Sequence, residues 1–126
     1  MQATLAANRL ALDLLCCRMH IQQARLYALS LPGASEQPHH RYSSFRVVGK
    51  IFATVPPDEL HLHVFVDEID REHALALAPT AYQKLSWGEA AVGLRILLAQ
   101  AKPAEVERLL HCAWLRKAPR KLLPAP

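Results

Sequence analysis

The stretch that most constrains the fold is Ser43 to Val55, where two short apolar runs flank a glycine. It reads Ser-Ser-Phe-Arg-Val-Val-Gly-Lys-Ile-Phe-Ala-Thr-Val, with β-branched and aromatic residues on both sides of Gly49-Lys50. A glycine between two such runs is typical of a β-hairpin, because glycine adopts the positive φ that a tight turn needs. The pattern predicts strands over 45–48 and 50–55, in a sheet that begins around Tyr42.

The segment before the hairpin predicts a helix and a link. The apolar residues of Ile21 to Ser30 recur at helical spacing, with Leu26 and Leu29 counted in the apolar stripe. Pro32-Gly33 follows as a stop signal. The residues from Glu36 to Arg41 are polar and predict a link that leads into the sheet.

The second half of the chain predicts two more helices and three more strands. Alternating apolar residues indicate the strands, and an N-cap aspartate and a proline at a first helical position indicate the helices. The predicted elements are a strand over Leu60 to Val66, a helix from Asp67 to Ala78 anchored by Leu75 and Leu77, strands around Tyr82 and over Ala91 to Leu98, and a helix from Pro103 to Ala118.

The predicted order is therefore helix, three strands, helix, two strands, helix. Such an order predicts an α+β fold of two layers, an antiparallel sheet covered by helices. The chain has 126 residues, of which 52% are hydrophobic and 21% charged, which suits one domain with a single core.

The cysteines and the hydropathy exclude two classes of protein. The three cysteines, Cys16, Cys17 and Cys112, are odd in number and two are adjacent, so the sequence predicts no disulfide framework and fits a reducing cytoplasm. No apolar run approaches the roughly 20 residues that a membrane-spanning helix requires.

Three phrases carry a family resemblance. Residues 28–33 read Ala-Leu-Ser-Leu-Pro-Gly, residues 45–54 form the hairpin, and residues 119–122 read Pro-Arg-Lys-Leu. They resemble the MmcQ/YjbR family, small bacterial proteins with an "ALSLPG" phrase, a "FRVxGKIFAT" hairpin and an "APKRL" closing phrase. The resemblance covers residues 19–122 and implies an α+β fold and a DNA-binding role.

The resemblance also divides the chain. Family members begin a few residues before the "ALSLPG" phrase, where Met19 stands here, so residues 1–18 are interpreted as an N-terminal extension and Met19 as the natural start. The apolar stretch from Leu10 to Cys17 is interrupted by Asp13 and precedes no small-residue cleavage site, which disfavours a signal peptide. The domain is predicted over residues 19–122, with a tail over 123–126.

No group of residues predicts catalysis, a cofactor or a metal centre. The serines lack a Gly-x-Ser-x-Gly context, Cys112 lies among apolar helix residues, and the glycines form no phosphate-binding run. His61 and His63 lie two apart on one strand and share a face, but no carboxylate or cysteine stands at a ligand spacing from them. The prediction is a non-enzymatic protein without cofactor or metal.

Basic residues predict a contact with nucleic acid. The net charge is +4, and four of the positive charges stand between residues 116 and 121. A basic cluster at a helix C-terminus also complements the helix dipole, and this interpretation stays open. The resemblance implies a double-wing mode, in which hairpins flank a helix and contact phosphates of any sequence. The predicted DNA-contacting residues are Arg46, Lys50, Arg95, Arg116, Lys117, Arg120 and Lys121.

A second hypothesis is a protein-interaction or chaperone-like module. Small secretion chaperones with a similar arrangement of helices and sheet dimerise and hold extended peptides, so a homodimer stays open. An exposed Trp87, Phe65 or Leu97 would favour this hypothesis, because open apolar patches mark protein interfaces. A continuous positive surface would favour DNA, and its expected members are Arg46, Lys50, Arg95 and Arg120.

Overall fold

Three helices lie on one face of a six-stranded antiparallel sheet in the computed structural model, which describes residues 19–123. The helices are α1 (Ile21–Ser30), α2 (Glu68–Leu77) and α3 (Pro103–Lys117). The strands are β1 (Ala34–His39), β2 (Tyr42–Val47), β3 (Lys50–Val55), β4 (His61–Val64), β5 (Tyr82–Trp87) and β6 (Ala90–Leu97). The strand order is β1-β2-β3-β4-β6-β5, and the predicted α+β class is confirmed. The predicted extension, Cys16 and Cys17 lie outside the described residues, as does most of the predicted tail.

Strand β1 takes the place of the polar link predicted over Glu36 to Arg41. It pairs with β2 from Ala34↔Val47 to His39↔Tyr42. The residues of β1 are polar and include Pro38, so no alternation marks the segment as a strand. An edge strand tolerates a proline, since one side of its backbone pairs with no other strand. The sheet therefore has one strand more than predicted.

The core lies between the sheet and α3. The predicted stripe of α3 is buried, and Trp114 at its end donates a hydrogen bond from Nε1 to the carbonyl oxygen of Pro32 at 2.9 Å. This bond ties the end of α3 to the turn between α1 and β1. The buried residues of the stripe are Val106, Leu109, Leu110, Ala113 and Trp114.

Small side chains account for much of the buried faces of α1 and α2, and of the leucines predicted there only Leu75 packs against the core, partly buried. Ala24 and Ala28 of α1 are fully buried, whereas Leu26 is 72% exposed. In α2, Ala74 is buried and Leu77 is 57% exposed. At 100° per residue both leucines fall outside the stripe that faces the sheet, so the prediction from residue type was wrong there.

The predicted N-cap of α2 is confirmed, whereas the fourth strand differs from its prediction. Asp67 caps α2 as predicted, because its Oδ1 accepts a hydrogen bond from the backbone N–H of Asp70 at 2.9 Å. Strand β4 is shorter than predicted and leaves Leu60 61% exposed, while His63, predicted on a partly wet face, is 6% exposed. Leu60 precedes the first ladder pair of β4 and lies in a loop.

The strands end at two opposite borders of the sheet, and each border, here called an edge, carries its own set of turns. One end, here called the wing edge, carries the turns Val48-Gly49 and Gly88-Glu89 and the C-terminal end of α3. The other end, the far edge, carries the turn His40-Arg41 and the start of α3 at Pro103. Helix α3 runs from the far edge to the wing edge, since Arg116 donates a hydrogen bond to the carbonyl oxygen of Phe65, just after β4.

A candidate nucleic-acid interface at the wing edge

The hairpins β2–β3 and β5–β6 have the same strand-pairing pattern at their tips. Each has a two-residue turn, two closing residue pairs, and then a register shift, at Phe45/Arg46 in one hairpin and at Leu85/Ser86 in the other. A bulge at such a position bends a hairpin and increases its twist. The same device therefore shapes both tips, here called the first wing (residues 47–50) and the second wing (residues 87–90).

The turn of the first wing holds a valine in a strained conformation. Val48 has φ of 48° and Gly49 has φ of 79°, as a type I′ turn requires. A β-branched residue at positive φ is an outlier that costs about 1–3 kcal/mol. Val48 is also 60% exposed, so burial does not offset this strain. Folding alone does not favour an exposed valine here.

Five of the seven predicted DNA-contacting residues lie at the wing edge. Lys50 is exposed in the first wing, and the other four follow in the last turn of α3 and in the short 3₁₀ turn Arg120–Leu122. A Cβ built on Gly33 would lie 2.8 Å from Leu122 Cδ1 and 3.7 Å from Val47 Cγ2, so the 3₁₀ turn packs beside the first wing. The five residues are Lys50, Arg116, Lys117, Arg120 and Lys121.

The salt bridges of the domain leave these five residues unpaired, together with four other Lys or Arg residues of the described part. Within residues 19–123, none of the five forms a salt bridge, whereas Arg25, Arg71, Lys84 and Arg108 do. Arg116 donates to the carbonyl oxygen of Phe65 at 2.8 Å, which positions its guanidinium between the two hairpins because β4 lies between β3 and β6. The positive charge at this edge is therefore available to an external anion.

The other two predicted residues, Arg46 and Arg95, lie on the sheet face that the three helices leave open. Arg46 donates from Nε to Ser44 Oγ at 3.0 Å, and Arg95 Nη2 lies 3.4 Å from His61 Nδ1. Strands β2 and β6 are three spacings apart in the sheet, which is about 14 Å. The structure thus divides the seven residues into an edge group of five and a face pair.

The sequence was compared with protein families, curated proteins and solved structures. The model of the YjbR family matches residues 29–116, from the end of α1 to the last turn of α3. The protein belongs to the YjbR family. The resemblance drawn from the sequence is confirmed, and no curated protein and no solved structure matches the chain. The match includes both wings and ends at Arg116, so Lys117, Arg120 and Lys121 follow it.

The wing edge of this YjbR protein also carries acidic and aromatic groups. Glu89 is exposed at the tip of the second wing, and Asp67 and Glu68 are exposed where α2 begins. Trp87 is 76% exposed beside Glu89, whereas Phe65 and Leu97 are partly buried. From the sequence, Trp87 was considered only as a residue that could bind a protein partner. Its place beside a turn glycine is the sequence signal that could have located it at a hairpin tip. The edge is positive near the first wing and negative near α2 and the second wing.

His63 is the most perturbed titratable group on the open sheet face. It pairs in register with Arg95, and its Nε2 has no hydrogen-bond partner among residues 19–123. Burial lowers the pKa of His63 to about 4, and the positive charges of Arg95 and His61 act in the same direction. His61 Nδ1 instead contacts Asp58 Oδ2 at 2.9 Å. Nowhere in the described part do three potential metal ligands come together.

We expect the free energy of unfolding of this YjbR domain to fall as the pH drops from about 6.5 to 4. In that window His63 takes up a proton in the unfolded chain, whose pKa is about 6.5, but stays neutral in the folded one. The unfolded state therefore binds more protons, stability rises with pH, and the full loss below pH 4 is about 3 kcal/mol.

The measurement is urea denaturation across this pH range for the natural chain, His63→Leu and His73→Leu. His73 is exposed on α2 and serves as the control. His63→Leu should flatten the decline and His73→Leu should leave it unchanged. An equal decline in all three proteins would contradict the assignment to His63.

A groove of about 490 Å³ lies at the far edge, opposite the wings. Its walls include Arg25 and Glu36, whose side chains form an ion pair at 2.8 Å, and the prolines Pro56 and Pro57. None of the seven predicted residues lines it. Among the described residues of this YjbR protein, no helix is long and apolar enough to cross a membrane.

Proposed function

We propose that this protein is a non-enzymatic, cytoplasmic DNA-binding protein that holds the phosphate backbone at its wing edge without sequence selectivity. One observation carries the proposal: five basic side chains gather at that edge, and within the described residues none of them forms a salt bridge. Long basic side chains of this kind contact phosphates, which gives affinity but no base discrimination.

The spacing of the wings supports the same role. The two hairpins are centred three strand spacings apart, about 14 Å, with β4 and Arg116 between them. The major groove of B-DNA is about 12 Å wide. The wings therefore have a separation comparable to the distance between the two backbones that border a groove.

The face pair, Arg46 and Arg95, has a smaller part in this proposal. Each guanidinium already contacts a side chain of the sheet, Ser44 in one case and His61 in the other. A phosphate would have to compete with these contacts. The edge group is expected to dominate the electrostatic contribution to binding.

Removing two edge charges should reduce the salt dependence of DNA binding. Each neutralised phosphate contributes about −0.9 to the slope of log K against log salt on duplex DNA. The double variant Lys50→Ala, Lys121→Ala should therefore flatten the slope by about 1.8 units. Both residues are exposed, so the variant should keep the stability of the natural chain to within about 1 kcal/mol. Fluorescence anisotropy with random-sequence duplex over a range of salt measures the slope.

The far edge offers a control with the same change in net charge. Arg41 and Lys102 are exposed there and form no salt bridge within residues 19–123. Arg41→Ala, Lys102→Ala should leave the slope unchanged, because neither side chain reaches the wing edge. If both double variants flattened the slope equally, the salt dependence would reflect the net charge of the protein and not a binding surface at the wing edge. A larger effect from Arg46→Ala, Arg95→Ala would move the interface to the open face. No binding at the lowest salt would refute the proposal.

Protein binding is a second candidate function, supported by the exposure of Trp87 on which that hypothesis depended and by exposed apolar side chains on two helices. Ile69 of α2 is 80% exposed and Leu26 of α1 is 72% exposed. Such side chains on a helical layer suit a protein partner or a homodimer. Sedimentation equilibrium tests the homodimer: self-association that Leu26→Ser or Ile69→Ser abolishes would favour it, and a monomer at all concentrations would exclude it.

A further inference from the structure

The two wings share a strand-pairing pattern but present side chains of different chemistry. The first wing carries Lys50 and the second wing carries Trp87 and Glu89. A carboxylate at the tip of the second wing repels a phosphate, because like charges near a protein surface oppose each other. The second wing therefore offers no cation to a phosphate, and the exposed ring of Trp87 is the group with which it can contact a nucleic acid.

We propose that Trp87 stacks on an unpaired base, so that the wing edge binds single-stranded DNA in preference to duplex. This inference rests on the proposed function and adds the form of the nucleic acid. Trp87 is 76% exposed at a hairpin tip, where its ring is open to a ligand. Stacking on an aromatic side chain favours any base, since every base has a π-face. In a duplex the bases are already stacked on each other and offer no face to Trp87.

The remaining residues of the edge complete a path for a single strand. Arg116 lies between the wings, where its side chain meets Phe65 after β4, and Lys50 lies at the first wing. Basic side chains that follow a backbone, combined with an aromatic platform, are the usual means of binding single strands. Val48, exposed and strained at the tip of the first wing, adds an apolar contact at the other end of this path.

A membrane surface is the competing occupant of an edge with tryptophan, valine and basic residues. The acidic residues Glu89, Asp67 and Glu68 at the same edge disfavour an anionic bilayer, which would meet them over a wide area. A single strand is narrow and meets only the residues along its path. The charge distribution therefore favours the nucleic acid.

The test compares an oligo-deoxythymidine with a duplex of the same number of phosphates, both at low salt. The natural chain should bind the single strand more tightly. Trp87→Ala should weaken single-strand binding by roughly 5- to 140-fold, the loss of one stacked base. Duplex binding should change by less than about twofold, since phosphate contacts remain. Trp87→Phe, which keeps an aromatic face, should retain most of the single-strand affinity, and Leu60→Ala, an equally apolar change at the far edge, should retain all of it.

Tryptophan fluorescence gives an independent readout, because stacking on a base quenches an exposed indole while Trp114 is 2% exposed. Quenching by the single strand that is lost in Trp87→Phe supports the inference. Three results would overturn it: tighter binding of duplex, single-strand affinity unchanged in Trp87→Ala, or binding of anionic vesicles alone. The first two leave the proposed function standing when duplex binding still depends on the edge charges, and the third removes both.

Discussion

Replacing Gly93 by alanine is expected to lower the free energy of unfolding by about 4 kcal/mol or to prevent folding. A Cβ at this position would lie 2.0 Å from the carbonyl oxygen of Val64 and 3.0 Å from Phe65 Cα. Both contacts are with backbone, so no side-chain rotation relieves them. Strands β4 and β6 would have to separate beside the pair Val64↔Leu94 and lose ladder hydrogen bonds as well as packing.

Gly88 provides the matched control for this substitution. A Cβ on Gly88 would meet nothing within 4 Å, and its only penalty is a φ of 60°, which costs an alanine about 1–2 kcal/mol. Chemical denaturation of the two variants separates steric conflict from backbone strain. Equal costs for Gly93→Ala and Gly88→Ala would show that β4 does not approach Gly93 closely in solution.

Trp114→Ala is expected to lower the free energy of unfolding by about 3–5 kcal/mol, because it removes the largest buried side chain of the core and leaves a cavity. Trp114 is 2% exposed and lies 5.8 Å from His111, ring centre to ring centre, in a stacked arrangement. The substitution also leaves the carbonyl oxygen of Pro32 without its donor. Trp114→Phe keeps most of the volume and loses that bond, so it should cost about 1–3 kcal/mol.

Leu115 is the neighbouring control, since it lies on the outer side of α3 and is 38% exposed. Leu115→Ala should cost about 1 kcal/mol or less, and urea denaturation measures all three variants. A cost below about 1 kcal/mol for Trp114→Ala would mean that this side chain does not fill the core, and α3 would then become a candidate partner surface.

Sequence reasoning succeeded where the signal is local. The helix over Ile21–Ser30, the strand over Lys50–Val55 and the buried stripe of α3 were all predicted as the structure has them. A helix stop, a glycine turn and an apolar stripe depend only on residues that are close in sequence. They can therefore be recognised before the fold is known. The same holds for the cap by Asp67.

Sequence reasoning failed where pairing with distant residues decides the conformation. Strand β1 is polar and contains Pro38, and it becomes a strand only because β2 supplies its partners and Arg25 of α1 binds Glu36 at 2.8 Å. The register shifts in both wings likewise depend on how two strands meet. The sequence of an edge strand or a bulge gives little indication of its structure, since its backbone pairs with residues on another strand.

The candidate site, too, could be predicted from the sequence only in part. The family, the α+β class and the seven basic residues proposed to contact DNA could all be predicted from the sequence. Only the folded arrangement shows that five of them share an edge while Arg46 and Arg95 lie on the open face, and that Trp87 is exposed at the tip of the other hairpin. The reason is geometric: residues distant in the chain meet only through the strand order and the direction of α3, and neither is encoded in local periodicity.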